Sequence, residues 1–278
     1  MKTAIITGCS PGGIGHALAL ELKHRGLRVF ATGRSLEKIS DLKKSGIECL
    51  SLTVDEPASV AAFREEVVKL LGGQGLDYLF NNAGMAAFRP ATESDLGVCK
   101  TMFGANVFGV IDMCQTFLPS LLAAKGVIVN VGSVAGHLPL PFMSNYCASK
   151  AALHAYSECM RVELAPLGVR AVYVMTGNVK TNTVNVKYHL EEGSLWYPVK
   201  ENYEKEQEKA ATTGMAPAAF AVQLADQTLN SRRDTVWVGE GALMTRIISG
   251  LENYLPFKLW PAAFSHGYGM KRIGAPRN

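Results

Sequence analysis

Short apolar runs rich in β-branched residues alternate along the chain with longer segments that have helical spacing. The apolar runs cover residues 3–7, 28–32, 47–52, 76–80, 126–131, 169–175 and 235–239. Apolar spacing predicts helices near 14–26, 36–45, 57–71, 99–124, 144–165 and 216–230. The residues that follow 169–175 predict a long irregular region instead. This alternation predicts an α/β fold, a parallel sheet of about seven strands with helices on both faces.

The interior runs are continuously apolar, as expected for strands that are covered by helices on both sides. In such sheets, ligands bind beyond the carboxyl ends of the strands, where the connecting loops meet. Three short motifs follow predicted strands: TGCSPGGIG, NNAG and VGS. We therefore expect a three-layer, doubly wound sheet in a single domain over residues 1–278, with its ligand site at that edge.

The composition is typical of a globular protein and excludes several classes of function. Of 278 residues, 48% are hydrophobic and 19% are charged, and the net charge of +4 comes from scattered basic residues. We expect no nucleic acid partner, because no basic face is present. The six cysteines have no CxxC or metal-ligand spacing. They indicate free thiols in a reducing compartment and no metal site.

The amino-terminal stretch MKTAIITG leads at once into a predicted strand, and charged residues interrupt the long apolar runs. These features predict neither a cleavable signal sequence nor a transmembrane segment. We expect a cytoplasmic protein, with peripheral attachment to the surface of the endoplasmic reticulum or a lipid droplet left open.

The stretch TGCSPGGIG lies between a predicted strand and a predicted helix, where main-chain N–H groups and the helix dipole bind a dinucleotide's pyrophosphate. The alternative is a tight glycine-rich turn without a ligand. The loop is one residue longer than the pattern TGxxxGxG. The residues expected to hold the phosphates are Gly8, Ser10, Gly12, Gly13, Ile14 and Gly15.

The second predicted strand ends in FATGR, and the residue after its glycine is Arg34. A site for NAD normally has an acidic residue here that binds the ribose 2′-hydroxyl. Arginine binds a 2′-phosphate through charge-assisted hydrogen bonds instead. The sequence therefore predicts NADP(H) as the cofactor, against the alternative of an ordinary exposed arginine.

With TGCSPGGIG, NNAG, NVFG, VGS and YCASK in this order and spacing, the chain resembles the short-chain dehydrogenase/reductase family, closely over residues 3–180. Within the family it is most similar to the fungal NADPH-dependent acyl-dihydroxyacetone-phosphate reductase group, through NNAG, NVFG, MCQ and TGNV. The resemblance implies a Rossmann-type fold, a homodimer or homotetramer, and a catalytic tetrad of Asn106, Ser133, Tyr146 and Lys150.

The chemistry of ketone reduction explains this tetrad. Reduction needs a proton for the developing alkoxide, and a tyrosine with a pKa of about 10 is a weak donor unless it is helped. Lys150 shares a helix face with Tyr146 at i+4 and would favour the phenolate. Ser133 would bind the substrate oxygen, while Asn106 would position Lys150 through water. A second YxxxK, Tyr254 to Lys258, contains Pro256 and has no serine at the matching position.

The resemblance also implies contacts between cofactor and chain beyond the glycine loop. These involve Tyr146, Lys150, Thr53, Val54, Asn82, Ala83, Gly84, Gly177, Val179 and Thr181. Two residues depart from the family pattern: Thr53 stands where an aspartate is usual, and Thr176 stands where a proline is usual. Neither departure removes a reacting group.

The segment 182–214 is long for a connection without a function, and in this family it folds over the substrate as a lid. The residues expected to contact substrate are Ser133, Leu138, Phe142, Tyr146, Tyr188 and Trp196. Their apolar character favours a bulky hydrophobic ketone over a sugar or a small acid. The alternative is that these aromatic residues only pack the lid.

Residues 242–278 form a predicted C-terminal extension that mixes aromatic and aliphatic side chains with charged ones. It could contact a lipid surface, a partner subunit or the substrate.

The leading hypothesis for the chain is an NADPH-dependent reductase of a lipid-like or steroid-like ketone. The alternatives are a fungal specialised-metabolite enzyme, which reduces, oxidises or isomerises, and a regulatory protein that binds NADPH without catalysis.

Overall fold

The structure is a computed structural model that describes residues 1–181, 188–252 and 259–273. Several predicted features lie outside the described residues. They are residues 182–187 of the lid, residues 253–258, which include the second YxxxK, and residues 274–278.

The strands are those that the apolar runs predict. Their bounds are β1 Thr3–Ile6, β2 Arg28–Gly33, β3 Glu48–Ser51, β4 Tyr78–Asn81, β5 Val127–Val131, β6 Arg170–Thr176 and β7 Thr235–Val238. They form one parallel sheet in the order β3-β2-β1-β4-β5-β6-β7. The chain order reverses between β1 and β4, which is the point where sheets of this kind bind dinucleotides.

Helices cover both faces of the sheet, and successive strand residues point to opposite faces. The helices are α1 Ile14–His24, α2 Pro57–Leu71, α3 Leu96–Phe103, α4 Gly109–Ala124, α5 Ser144–Leu164, α6 Lys200–Thr212, α7 Pro217–Leu229, α8 Ala242–Glu252 and α9 Leu259–Gly267. Ile6 and Phe80 share one buried cluster with α1 and α7, while Ile5 and Leu79 share the other with α2, α4 and α5. The predicted doubly wound α/β fold is confirmed.

Two predicted elements differ from the structure. The segment predicted as a helix at 36–45 contains only the 3-10 turn Ser40–Ser45, because just Ile39 and Leu42 are buried there and β3 begins soon afterwards. The region predicted as irregular after β6 contains α6. That helix is strongly charged, and only Tyr203 and Gln207, four residues apart, are buried.

One helical segment bears on the expectation that the chain has no transmembrane segment. Among the described residues, the continuous helical segment Leu96–Ala124 is long and apolar enough to cross a membrane. Its side chains Met113, Phe117 and Leu121 are fully buried against the sheet. The composition of this segment is therefore explained by its place in the core.

Candidate active site

The glycine-rich loop between β1 and α1 contains a tight turn that accommodates its extra residue. Pro11 and Gly12 are the central residues of this turn, which the Gly13 N–H closes by donating to the Ser10 carbonyl over 3.1 Å. Gly12 has a φ of +74°. Proline followed by a left-handed glycine is the signature of a type II turn. The longer loop is thus a regular turn, and α1 begins directly after it at Ile14.

The loop packs against the end of β4 so closely that side chains could not replace two of its glycines. A Cβ on Gly8, whose φ is +74°, would lie 2.8 Å from Ala83 Cα. A Cβ on Gly15 would lie 2.5 Å from the Asn82 side-chain nitrogen and from the Gly8 carbonyl oxygen. Asn82 Nδ2 also donates to the carbonyls of Thr7 and Gly8, at 2.8 and 3.0 Å. The residues after β4 therefore hold the loop in one conformation.

The first turn of α1 is open to an anion. Its N-cap, Gly13, offers no side chain to the helix, and no acidic residue lies in the first turn. Ser10 and Gly12 are exposed beside it. Uncapped N–H groups and the helix dipole bind phosphate groups. The structure brings together all the predicted phosphate-binding residues, and they fit the pyrophosphate of a dinucleotide.

The other predicted cofactor residues follow strands at the same edge of the sheet. Arg34 follows β2, Thr53 and Val54 follow β3, Asn82, Ala83 and Gly84 follow β4, and Gly177, Val179 and Thr181 follow β6. Arg34 is exposed. The buried hydroxyl of Thr176 has no hydrogen-bond partner among the described residues. Because such a group is costly, it fits a polar ligand at the end of β6.

Three predicted catalytic residues meet where β5 ends beside α5. Ser133 follows β5, and its Oγ accepts a hydrogen bond from the Ala135 N–H over 3.1 Å. Tyr146 and Lys150 lie one turn apart on α5, as their spacing predicts. Lys150 Nζ donates to the Val131 carbonyl over 2.9 Å and lies 5.9 Å from the centre of the Tyr146 ring. A strand end and a helix thus form one cluster of reacting groups.

Burial determines the protonation of this cluster. It raises the pKa of Tyr146 above its ordinary value, and a hydrogen bond with Ser133 opposes that rise without cancelling it. It also lowers the pKa of Lys150 to about 8. The expected stabilisation of the Tyr146 phenolate by Lys150 is not seen in the protein alone, because the raising effect of burial on the Tyr146 pKa is the larger one. Tyr146 is therefore a neutral phenol near pH 7.

Asn106 contacts the site through main-chain and hydroxyl groups rather than through Lys150 directly. It lies in a single π turn, Gly104–Phe108, between α3 and α4, a feature that is frequent at functional sites. Its Nδ2 donates to the Met85 carbonyl at 2.9 Å and to Ser149 Oγ at 3.0 Å, and its Oδ1 accepts from the Met85 N–H. Asn106 thus connects the end of β4 to α5 at the residue before Lys150. The water-mediated contact stays a prediction.

An apolar cluster lies beside Tyr146, and Phe142 is at its centre. Phe142 is buried, and its ring packs against those of Trp196, Tyr203 and Tyr268 at centroid distances of 5.4, 4.9 and 5.4 Å.

Of the other residues predicted to contact substrate, Leu138 is buried too, and Tyr188 lies under the Arg89 guanidinium at 4.3 Å. The aromatic residues predicted to contact substrate therefore pack against the chain itself. Sequence reasoning missed Tyr203 and Tyr268, although Tyr203 is a lone aromatic residue in a charged helix.

The described part of the lid is fixed to the segment that follows β4. The Glu93 carboxylate accepts hydrogen bonds from Ser194 Oγ at 2.8 and 2.9 Å and from the Leu195 N–H at 3.1 Å. Trp196 Nε1 donates to Thr92 Oγ1 over 3.1 Å. These bonds hold residues 194–196 next to the cluster that includes Tyr146. The segment thus packs beside Tyr146 as part of the apolar cluster.

Comparison with known proteins gives the same assignment. The family model of the short chain dehydrogenases matches residues 2–191. The chain is 42% identical over 203 residues to an NADPH-dependent 1-acyldihydroxyacetone phosphate reductase of Schizosaccharomyces pombe, covering 71% of this chain and 68% of that protein. It is 34% identical to the short-chain dehydrogenase srdE of Neurospora crassa, covering 98% and 93%.

Solved structures agree with the fold. A short-chain dehydrogenase of Streptomyces avermitilis superposes with a TM-score of 0.78 at 25% identity, over 98% of both chains. The region that matches the family model contains Ser133, Tyr146 and Lys150. The chain belongs to the short-chain dehydrogenase family and is an oxidoreductase.

Proposed function

We propose that this oxidoreductase uses NADPH to reduce a ketone of a hydrophobic substrate to a secondary alcohol. The observation that carries the proposal is the convergence of Ser133, Tyr146 and Lys150 beside an apolar cluster, across the strand ends from an open helix N-terminus. When bound, the coenzyme would supply the hydride.

The residues of the chain would supply everything else that the reduction needs. The Tyr146 phenol would donate its proton to the substrate oxygen, and the positive charge of Lys150, 5.9 Å from the centre of its ring, would offset the rise that burial causes in the Tyr146 pKa. Ser133 Oγ would hold the same oxygen by a hydrogen bond. Lys150 would bind the nicotinamide ribose, and the loop from Gly8 to Gly15 would hold the phosphates. The lid would exclude water from the proton transfer.

Arg34 supports the preference for NADPH over NADH. It is exposed just after β2, where it can pair with a 2′-phosphate, and no acidic residue competes for that position in FATGR. We expect Arg34→Ala to raise the Kd of NADPH by about tenfold, the loss of one charge-assisted contact, and to leave the Kd of NADH unchanged. Fluorescence titration with both coenzymes measures this.

Arg232→Ala is the matched control, because Arg232 is an exposed arginine just before β7, at the amino ends of the strands. It should bind both coenzymes as the wild type does. An equal loss of NADH and NADPH binding in Arg34→Ala would contradict the proposed contact with the 2′-phosphate.

Two observations support a hydrophobic substrate class. They are the apolar cluster beside Tyr146 and the S. pombe relative, whose name states that it reduces 1-acyldihydroxyacetone phosphate. We propose an acyl-dihydroxyacetone-phosphate-like or other lipid-like ketone. The test is NADPH oxidation against a panel that contains an acyl-dihydroxyacetone phosphate, a steroid ketone, a polycyclic aromatic ketone and a small polar ketone. Turnover of the small polar ketone alone would contradict the proposal, and turnover of the polycyclic ketone alone would favour a specialised-metabolite enzyme.

We further propose that the chain contacts a lipid surface through α8. Four large apolar side chains are exposed on this helix: Leu243, Met244, Ile247 and Leu251, at 62%, 58%, 49% and 55%. An apolar face beside an exposed arginine, Arg246, suits an anionic membrane interface. Cytoplasmic location and assembly into a homodimer or homotetramer stay predictions.

We expect the protein to sediment with vesicles of phosphatidylcholine and phosphatidylserine, and Ile247→Glu to reduce the bound fraction about tenfold by placing a charge in that face. Val68→Glu, at an exposed valine of α2, is the control and should bind like the wild type. If all three proteins stay in the supernatant, or all three sediment equally, the α8 contact is wrong.

A further inference from the structure

Tyr173, on the neighbouring strand β6, has two hydrogen bonds to main-chain groups of the catalytic cluster. Its hydroxyl donates to the Lys150 main-chain carbonyl over 3.1 Å. The same oxygen accepts a hydrogen bond from the Ser133 N–H over 3.4 Å. The side chain is buried, with 1% of its surface exposed. One phenol oxygen therefore connects the end of β5 to the middle of α5.

The glycine that follows the neighbouring strand β5 leaves room for this side chain. A Cβ on Gly132, the residue before Ser133, would lie 2.0 Å from Tyr173 Cζ and 2.1 Å from the Tyr173 hydroxyl oxygen. No side chain at position 132 is therefore compatible with the observed phenol. The glycine at 132 and the tyrosine at 173 form a matched pair.

The Tyr173 ring is also held from the side of α5. The His154 ring packs against it at a centroid distance of 4.7 Å, and His137, which closely follows Ser133, packs against His154 at 4.7 Å. The His154 ring thus packs against the ring whose hydroxyl makes both hydrogen bonds. The two histidines thus have a packing role that involves the same two elements.

We infer that Tyr173 is a positioning residue for catalysis: its hydroxyl ties the Ser133 main chain on the β5 end to the Lys150 main chain on α5. Ser133 would hold the substrate oxygen, and Lys150 is one helical turn from Tyr146. A displacement between the two elements would separate the groups that must act on one substrate atom, and small displacements are costly in catalysis. The inference rests on the oxidoreductase activity and not on the substrate class.

Tyr173→Phe removes both hydrogen bonds and keeps the ring, so it tests this role directly. We expect kcat to fall about tenfold, as for the loss of two ordinary hydrogen bonds that orient reacting groups, with the Kd of NADPH unchanged. The assay uses a carbonyl substrate that the wild type reduces. We calculate kcat per NADPH-binding site, so that unfolded protein does not lower the value.

A second measurement needs no substrate. The pKa of Tyr146 is obtained from the ultraviolet difference titration of each protein against the same protein carrying Tyr146→Phe. Since a hydrogen bond with Ser133 lowers the pKa of Tyr146, displacing Ser133 should raise it further in Tyr173→Phe. A merely structural role would lower the melting temperature and leave this titration unchanged.

Tyr78→Phe is the control, because Tyr78 is a buried tyrosine of the same sheet at the amino end of β4. It should keep the wild-type kcat and the wild-type Tyr146 titration. If Tyr173→Phe does not fold, Gly132→Ala displaces the phenol instead and should give the same changes. Wild-type kcat together with an unchanged Tyr146 titration, in whichever of these two variants folds, would overturn the inference.

Discussion

Replacing Tyr146 with phenylalanine should lower kcat by about 10²- to 10⁴-fold, the range that a positioned general acid contributes. The change removes the hydroxyl that would donate the proton and keeps the ring beside the apolar cluster. NADPH should still bind, because the glycine loop and Arg34 are unchanged. Steady-state NADPH oxidation gives kcat, and fluorescence titration gives the Kd of the coenzyme.

Tyr156→Phe is the matched control, since Tyr156 lies on the same helix but packs into the core on the other side of Lys150. It should keep the wild-type kcat. Wild-type turnover in Tyr146→Phe would mean that another group donates the proton, and Ser133 would then be the first candidate. If the wild type itself binds NADPH but shows no turnover, that result would support a regulatory role instead.

The sequence predicts the sheet well, because each buried parallel strand must be apolar on both faces. Thus the runs that contain Ile5, Leu79 and Ile128 are recognisable without any knowledge of their neighbours. The same holds for the pair Tyr146 and Lys150, whose contact depends only on helical spacing. Alpha-helix α6 was not predicted, because its exposed charges dominate the pattern and only Tyr203 and Gln207 are buried.

Contacts between distant parts of the chain determine the rest of the site, and periodicity carries no information about them. Phe142 is enclosed by the rings of Tyr203 on α6 and of Tyr268 in the C-terminal extension, and its contact with substrate stays a prediction. Burial raises the pKa of Tyr146, whereas the spacing to Lys150 alone predicts the opposite direction. In β6 the apolar pattern conceals the Tyr173 hydroxyl, whose partners come from β5 and α5.

The second large effect is expected from a substitution in the glycine loop. Gly15→Ala should destabilise the protein by about 1–3 kcal/mol, the usual cost of inserting a methyl group where there is no room. The added Cβ would lie 2.5 Å from the Asn82 side-chain nitrogen and from the Gly8 carbonyl oxygen, so β4 and the loop must separate. NADPH binding should weaken as well, because the same displacement opens the phosphate site. Urea unfolding and coenzyme titration measure the two effects.

Gly250→Ala is the control, and its expected sign is opposite. Gly250 lies inside α8, and a Cβ there would have no neighbouring atom within 4 Å. Alanine should therefore stabilise the helix by about 0.5–1 kcal/mol and leave the Kd of NADPH unchanged. If Gly15→Ala has the same free energy of unfolding and the same Kd for NADPH as the wild type, the loop does not pack on β4 as described. The turn with its extra residue would then not form the phosphate site, and the coenzyme would have to bind elsewhere.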